Sequence, residues 1–456
     1  MNTARDEFRA AFVSLKIPEY RTLWWAGVFS FMSVQMQFVL RGILAWDLTR
    51  REGALGLVYF FFGLSMLIAT PFGGVAADRF PRRTTLLVTQ SMIFAGAALM
   101  GLAVVTDLIQ FWMVVVAGVI QGVAFGFYGP ARVAFAADLV GREQLGNAIT
   151  LSLLSMSGTR VIAPSLAGVL AGVAFFGVGG AYLISSLFSF CSLVAIWRLP
   201  SIPIDNPSTR RPVADIKLGV QYVRANPSLR RLVVASVAII MFGFNYVAFL
   251  PAMVKDVFGL DGDQGNAWIG LLSMASAIGA VAVSIPLASR ADGARAKWLM
   301  AMSGFLFGGS VIALAATPGI WLAFAVIIVI GAATTTYQSL SNTLALQMTE
   351  TAFQGRVQSI MQLSFAAFGM MALPLGVLAE FITLRWTIAV MGGVAVAASA
   401  IYWSLEMVSK SDKEPLADEE PLVDDEPLAD DEPQVTVAEP AVPPSAGSPM
   451  PPVRTR

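Results

Sequence analysis

The chain alternates between long apolar runs and short polar connections. Each of about twelve runs holds roughly 20 residues, enough for an α-helix to cross the hydrocarbon core of a bilayer. The predicted spans 1 to 12 are residues 23–46, 53–77, 84–105, 110–137, 147–173, 177–197, 232–254, 267–288, 298–316, 320–346, 358–379 and 386–407. The pattern therefore predicts an all-α polytopic membrane protein.

Composition supports the same class of protein. Hydrophobic residues make up 56% of the 456 residues, and charged residues only 13%. A soluble fold of this composition would leave far too much apolar surface in water. Because the polar N-terminal stretch runs into a full-length span rather than a short apolar segment with a cleavage site, we predict no cleavable signal peptide.

Basic residues are concentrated on one side of the predicted bundle. They precede span 1 and follow spans 2, 4, 6 and 8, whereas the opposite side carries only Arg50, Arg51, Lys255 and Arg385. The positive-inside rule places both termini and the middle loop in the cytoplasm. We therefore expect a multi-pass protein of the bacterial plasma (inner) membrane.

The two halves of the chain repeat each other. The segment that begins at Pro18 recurs at Pro227, an offset of 209 residues. The further pairs at this offset are Arg21 and Arg230, Leu23 and Leu232, Ala26 and Ala235, Trp112 and Trp321, Gly122 and Gly331, and Tyr128 and Tyr337. Asp78 and Arg83 recur as Asp292 and Lys297 at an offset of 214. This order predicts two homologous six-helix bundles, related by an axis along the membrane normal.

The spans and charges together divide the chain into five parts. Residues 1–22 form a cytoplasmic N-terminal segment, 23–197 the first bundle, 198–231 a cytoplasmic middle loop and 232–408 the second bundle. Residues 409–456 are acidic and rich in proline, with a repeated Glu-Pro-Leu segment. Such a segment buries too little apolar surface to fold alone, so we expect a solvated cytoplasmic tail. Docking of this tail on the basic loops is the alternative.

The short loop between predicted spans 2 and 3 carries a recognisable motif. The pattern Gly74-x-x-x-Asp78-Arg79-x-x-Arg82-Arg83 resembles the loop signature of the major facilitator superfamily, although Pro81 stands where many members have glycine. The resemblance covers residues 10–408 and implies the major facilitator fold. Four further segments resemble the bacterial branch that contains macrolide exporters and the enterobactin exporter: Gln35-Met36-Gln37, Arg41-Gly42, Asp47-Leu48-Thr49 and Gly129-Pro130-Ala131-Arg132.

The loop motif is predicted to act as a conformational latch. Gly74 would let another helix approach closely. The resemblance implies that Asp78 lies near the N-terminus of span 11, where a carboxylate is favourable. Arg79, Arg82 and Arg83 would bond acidic groups or carbonyls in the outward-facing state and release them in the inward-facing state, and Asp292 belongs to the same group by repetition. Alternatively, the arginines only enforce topology.

Polar residues inside the spans suggest a binding cavity. In the family, spans 1, 4, 7 and 10 line the central cavity, and this implies the lining residues Gln37, Arg41, Gln121, Tyr128, Asn245, Gln338 and Asn342. Arg160 lies near the middle of span 5, where a charge is costly. Two guanidinium groups without a carboxylate at that depth favour an anionic or hydrogen-bond-accepting substrate. The alternatives are interhelical packing for the amides, backbone carbonyls for Arg160, and Asp47 or Glu380 as partners of Arg41.

Two motifs of proton antiporters occur here in altered form. The span 4 pattern Arg-x-x-Gln-Gly reads Gly118-Val119-Ile120-Gln121-Gly122, so its arginine is missing. The span 5 pattern Gly-Pro-x-x-Gly-Gly reads Ala163-Pro164-Ser165-Leu166-Ala167-Gly168, in which Pro164 can kink the helix and Gly168 preserves close packing. The chain has no histidine, so Asp47 and then Glu380 are the candidate proton carriers. Each is alternatively a simple interfacial carboxylate.

These features favour a secondary active transporter that exports a small molecule by alternating access, driven by the proton-motive force. The substrate would be siderophore-like, macrolide-like, or another anionic or neutral compound. An importer or facilitator on the same fold is one alternative, and a non-transporting sensor or scaffold is another. We expect no enzyme, no cofactor, no metal site and no nucleic-acid partner. The expected partners are the substrate, protons and the bilayer, with the monomer as one option for the oligomeric state.

Overall fold

The twelve predicted spans are present as helices. The computed structural model describes residues 13–202, 212–288, 293–350 and 353–411. The spans in chain order are Pro18–Thr49, Glu52–Arg79, Arg82–Val105, Phe111–Gly141, Gln144–Ala171, Gly177–Trp197, Pro227–Val257, Gly262–Ser284, Arg295–Ala316, Ile320–Gln347, Gln354–Ile382 and Leu384–Met407. The described residues contain no β-strand. The predicted all-α, twelve-span membrane protein is therefore confirmed.

The chain forms two units, Met1–Lys410 and Ser411–Arg456. The first unit contains every span. All but the first residue of the second unit lies outside the described residues, as do residues 203–211, 289–292 and 351–352. The predicted acidic tail and Asp292 therefore stay predictions.

Both halves begin in the same way. Span 1 starts with Pro18 and span 7 starts with Pro227, each in the first helical turn. Proline suits that position because its missing N–H would have no helical partner there. The Asn226 side chain accepts a hydrogen bond from the Leu229 amide and so caps span 7. Both spans start several residues before the predicted positions, because their first turns are too polar to count as apolar runs.

The predicted middle loop contains a helix that the hydropathy pattern missed. This loop helix, Pro212–Ala225, buries a face formed by Gly219, Tyr222 and Val223. The Tyr222 ring stacks on Phe353 at 4.3 Å between centroids. The loop helix therefore lies against the start of span 11.

Equivalent contacts in the two halves reproduce the sequence repeat. Arg83 at the start of span 3 donates to the carbonyl of Trp197 at the end of span 6. Lys297 at the start of span 9 pairs with Glu406 at the end of span 12. These positions match at the offsets of 214 and 209 residues, so the two six-helix bundles are homologous in structure as well.

The halves pack together most closely towards one end. The odd-loop face is defined here as the end that carries the loops after spans 1, 3, 5, 7, 9 and 11, and the even-loop face is the opposite end. A Cβ on Gly63 of span 2 would lie 2.6 Å from the Ala366 carbonyl oxygen of span 11. A Cβ on Gly168 of span 5 would lie 2.3 Å from the Gly270 Cα of span 8. These glycines permit helix contact at backbone distance.

The buried core has the same asymmetry. One apolar cluster is continuous across both halves and includes Ile43, Ala171, Met253 and Ala379, which lie close to the odd-loop face. A second cluster, which includes Tyr20, Leu86 and Phe135, belongs to the first half alone and lies near the even-loop face. The two halves thus share a core on one side of the molecule.

Candidate functional site

Three of the predicted cavity residues form one hydrogen-bonded chain inside the first half. Arg41 donates through Nη2 to Gln121 Oε1, and Gln121 Nε2 donates to Gln37 Oε1 at 3.2 Å. Gln37 Nε2 donates to Ser33 Oγ at 2.9 Å, and Ser33 lies 2.5 Å from the Ser189 hydroxyl. All five side chains are buried. In this conformation the two glutamines therefore link spans 1, 4 and 6, which agrees with the alternative that we gave for them.

Arg41 is the charged residue at the end of this hydrogen-bonded chain, and it is deeply buried. Its side chain is 1% exposed, and its guanidinium lies over the Phe62 ring at 5.4 Å from the centroid. Within the described residues, Nε and Nη1 have no hydrogen-bond acceptor. The carboxylates that we considered as partners, Asp47 and Glu380, bind other residues. A buried cation with open donors is costly in a membrane protein, so Arg41 stays a predicted site residue.

Arg160 connects the two halves near mid-depth. Its Nη1 donates to Gln338 Oε1 at 3.0 Å, which joins span 5 to span 10. Asn342 lies one helical turn from Gln338 on the same span and is exposed. The structure therefore brings three predicted cavity residues to the boundary between the halves.

Tyr128 and Asn245 are buried rather than open to a cavity. The Tyr128 ring packs edge-on against Phe31 at 6.3 Å between centroids. Asn245 donates through Nδ2 to the carbonyls of Met241 at 2.6 Å and Phe368 at 3.2 Å. Span 7 changes here from a π-helical to a 3₁₀ segment, and such irregular turns are frequent at functional sites. Asn245 thus ties the irregular part of span 7 to span 11.

Three ion pairs join the halves at the odd-loop face, and we call them the odd-loop clasp. Lys255 Nζ lies 2.6 Å from Asp47 Oδ1, and the Lys255 side chain has no exposed area. Exposed Arg50 and Asp261 are 2.6 Å apart, and Arg51 lies 3.2 Å from Glu380. The hydrogen bond to Glu380 raises the pKa of Arg51. Each pair has one residue from each half.

The residues of the odd-loop clasp could have been noticed in the distribution of basic residues, which indicated only the topology above. Lys255, Arg50 and Arg51 are three of the four basic residues on the side where basic residues are rare. Each of these three has a carboxylate partner in the opposite half. Three of the four exceptions to the positive-inside pattern therefore join the halves, whereas Arg385 donates to the Ala315 and Thr317 carbonyls of its own half.

Within the described residues, the side-chain hydrogen bonds and ion pairs of the latch motif stay in the first half. Arg82 forms an ion pair with Asp138 of span 4, and Arg83 bonds the Trp197 carbonyl. Arg79 is exposed, and half-buried Asp78 has no hydrogen bond or ion pair within the described residues. None of the hydrogen bonds or ion pairs that these side chains form within the described residues involves span 11.

The expected close approach at Gly74 is wrong for this conformation. No atom lies within 4 Å of the place where a Gly74 Cβ would be. The adjacent Gly73 makes the close contact instead, with its Cβ position 2.3 Å from the Gly126 carbonyl oxygen of span 4. The tight packing at this end of span 2 is thus internal to the first half.

The altered span 5 motif is helical throughout. Pro164 lies inside the helix, and Gly168 makes the close contact with span 8 described above. The non-helical backbone in this stretch is at Gly141, with φ 72° and ψ 173°, where span 4 ends before span 5. Among the described residues, no group of three His, Cys, Asp or Glu side chains could hold a metal ion.

The fold is that of known membrane transporters. A bacterial homologue of the human lysosomal transporter Spinster, in an inward-facing and unoccupied conformation, matches with a TM-score of 0.69 and 15% identity over 88% of this chain and 98% of that chain. The nucleoside transporter NupG (D323A mutant) matches with a TM-score of 0.66 and 12% identity over 85% of this chain and 99% of that chain. Twelve membrane-spanning helices in two homologous bundles are thus the fold that this chain shares with these proteins.

The sequence comparison identifies the family. The family model described as transmembrane secretion effector matches residues 9–439, and the chain belongs to that family of the major facilitator superfamily. The enterobactin exporter EntS of Shigella flexneri is 25% identical over 289 residues, which are 63% of this chain and 66% of that protein. The same exporter of Citrobacter koseri is 24% identical over 63% of this chain and 67% of that protein.

These relatives confirm the resemblance that the motifs indicated, and the family is one of transporters rather than enzymes. The chain matches slightly less than two thirds of the length of the Shigella exporter.

Proposed function

We propose that this protein is a secondary active exporter of a small molecule that works by alternating access between its two halves. The observation that carries the proposal is the odd-loop clasp. Ion pairs such as Asp47–Lys255 can separate and re-form without loss of the fold, so they suit a closure that opens in each transport cycle. The relatives named as exporters support efflux as the direction.

We further propose that the even-loop face is cytoplasmic and that the odd-loop clasp closes the outer side. The excess of basic residues at the even-loop face supports this orientation. It makes the conformation described above inward-facing. A latch at Asp78 would form only in the opposite state, which fits a carboxylate without a hydrogen-bond or ion-pair partner among the described residues.

The proposed substrate is anionic or rich in hydrogen-bond acceptors. Arg160 and Gln338 present donors at the boundary between the halves, and Arg41 has two open donors deeper in the first half. Gln37, Gln121, Tyr128, Asn245 and Asn342 complete the proposed lining when the halves rearrange. Enterobactin, the compound named for the relatives, is our first probe.

Protons are the proposed coupling ion, and Asp47 and Glu380 are the proposed carriers. Both carboxylates belong to ion pairs that join the halves. A proton on either group would remove the negative partner of a cross-half pair and weaken the odd-loop clasp. Acid on the outer side would therefore favour outward opening.

Export can be tested in a bacterial strain that synthesises enterobactin and lacks its own exporter. Cells that carry this protein should release enterobactin into the medium and retain less, whereas cells with the Asp78→Asn variant at equal membrane level should retain more. Unchanged retention with the wild-type protein would contradict export of this compound. Uptake of added enterobactin would instead support an importer or facilitator. No flux in either direction would support a sensor or scaffold.

A further inference from the structure

A glycine of span 4 faces the buried guanidinium of span 1. A Cβ on Gly118 would lie 3.8 Å from both Cδ and Nη1 of Arg41. Gly118 also lies one helical turn before Gln121, which accepts the hydrogen bond from the same guanidinium. The Arg41 guanidinium therefore lies beside the position of span 4 that carries the arginine in the pattern Arg-x-x-Gln-Gly.

The second half provides an internal comparison for this position. At the offset of 209 residues, Arg41 corresponds to Leu250, Gly118 to Ile327 and Gln121 to Ile330. All three counterparts are buried apolar residues of the continuous core. A six-helix bundle of this protein therefore packs the same layer without any charge. The buried cation of the first half is not required by the architecture of the bundle.

The surroundings of Arg41 hold the cation but do not neutralise it. Gln121 accepts one hydrogen bond, and the Phe62 ring contributes a cation–π contact. Nε and Nη1 point to no acceptor within the described residues. These two donors leave the site able to bind an additional acceptor, such as an anionic group of the substrate, during the cycle.

We infer that Arg41 supplies from span 1 the positive charge that acts at the Gly118 and Gln121 face of span 4. The transport cycle requires a cation at this place, and the span that carries it is interchangeable. This inference rests on the proposed export function. It can be tested by moving the arginine from position 41 to position 118.

The test compares Arg41→Met, Gly118→Arg and the double variant, with Gly118→Ala as the steric control. Everted vesicles report gradient-driven accumulation of enterobactin, and proteoliposomes report its exchange without a gradient. Arg41→Met should lower both gradient-driven accumulation and exchange by roughly tenfold, because Arg41 also belongs to the proposed binding site, while its level in the membrane stays close to wild type. Gly118→Arg should lose both activities, because its charge would meet that of Arg41, whose Nη1 lies 3.8 Å from the Gly118 Cβ position. The double variant should regain gradient-driven accumulation to within about threefold of wild type.

Specific results would overturn the inference. Normal accumulation by Arg41→Met would do so, as would loss of this variant from the membrane, since that loss indicates a structural role. A double variant that exchanges enterobactin but accumulates no more than Arg41→Met would also contradict interchangeability. Near-normal activity of Gly118→Ala supports the inference, because the damage from Gly118→Arg is then due to the second cation rather than to the Cβ.

Thermal unfolding of the purified variants separates this inference from the proposed function. The double variant should unfold at a higher temperature than Gly118→Arg, because it holds one buried cation instead of two. If wild-type protein moves no enterobactin, the proposed substrate is wrong and the unfolding comparison still decides whether the charge is interchangeable. A double variant no more stable than Gly118→Arg would contradict the inference that the two positions can carry the cation interchangeably.

Discussion

Replacing Asp47 by asparagine should open the odd-loop face. Asparagine keeps the size of the side chain but removes the charge that neutralises Lys255, whose side chain has no exposed area. Breaking a fully buried ion pair costs about 3–5 kcal/mol. Because 32% of the Asp47 side chain is exposed, solvent screening reduces this to about 1–3 kcal/mol. The closed state should therefore lose roughly 5- to 150-fold in population relative to the open state.

The matched control is Asp261→Asn in the same clasp. Its partner is Arg50, and the two side chains are 52% and 58% exposed. Exposed pairs contribute about 0–1 kcal/mol, so this variant should shift the population by less than roughly fivefold. The double variant Asp47→Asn with Lys255→Met should recover part of the closed state, because it leaves no buried cation without a partner.

The shift can be measured as a distance distribution between two spin labels. Phe175 and Phe381 are exposed positions near the odd-loop face, one in each half, and labels can be attached there after Cys191 is replaced by alanine. Asp47→Asn should increase the fraction of long distances, and Asp261→Asn should leave it close to wild type. An unchanged distribution in Asp47→Asn, or equal shifts in both variants, would refute the clasp.

Three further predictions concern the latch, the helix contact and the cavity. Asp78→Asn should impair transport with little loss of membrane insertion, and normal flux would contradict the latch. Gly63→Leu should lower transport by roughly tenfold, since a side chain there meets the Ala366 carbonyl at 2.6 Å, whereas Gly96→Leu, with no atom within 4 Å of its Cβ position, should be tolerated. Arg160→Gln should weaken binding of acidic ligands more than of neutral ones, and equal weakening would indicate a structural role.

The sequence was sufficient for the architecture because the bilayer imposes a simple pattern. A helix that crosses a membrane needs about 20 apolar residues, so hydropathy alone locates the spans. The repeat from Pro18 to Pro227 then indicated two homologous halves, and the paired contacts of Arg83 and Lys297 agree with it. The loop helix escaped prediction because it lies on the protein surface and needs only a narrow apolar face at Gly219, Tyr222 and Val223.

The candidate site was only partly predictable, for a physical reason. Gln37 and Arg41 lie one turn apart on one helix, so their common face follows from local geometry. The partners of Asp47 and Glu380 lie 208 and 329 residues away. Such pairs depend on how the two halves pack, which local periodicity does not encode. The same holds for Gly74, whose surroundings depend on whether the halves meet at the even-loop face.

Accumulation in everted vesicles tests the central claim most directly. Vesicles that contain the protein would receive acidic, neutral and cationic compounds, including enterobactin, with and without a proton gradient. We predict gradient-dependent accumulation of enterobactin and other acidic or neutral compounds inside the vesicles, and none with empty-vector vesicles. Equal movement with and without the gradient, or accumulation of cationic compounds alone, would contradict proton-driven export of anionic and neutral substrates.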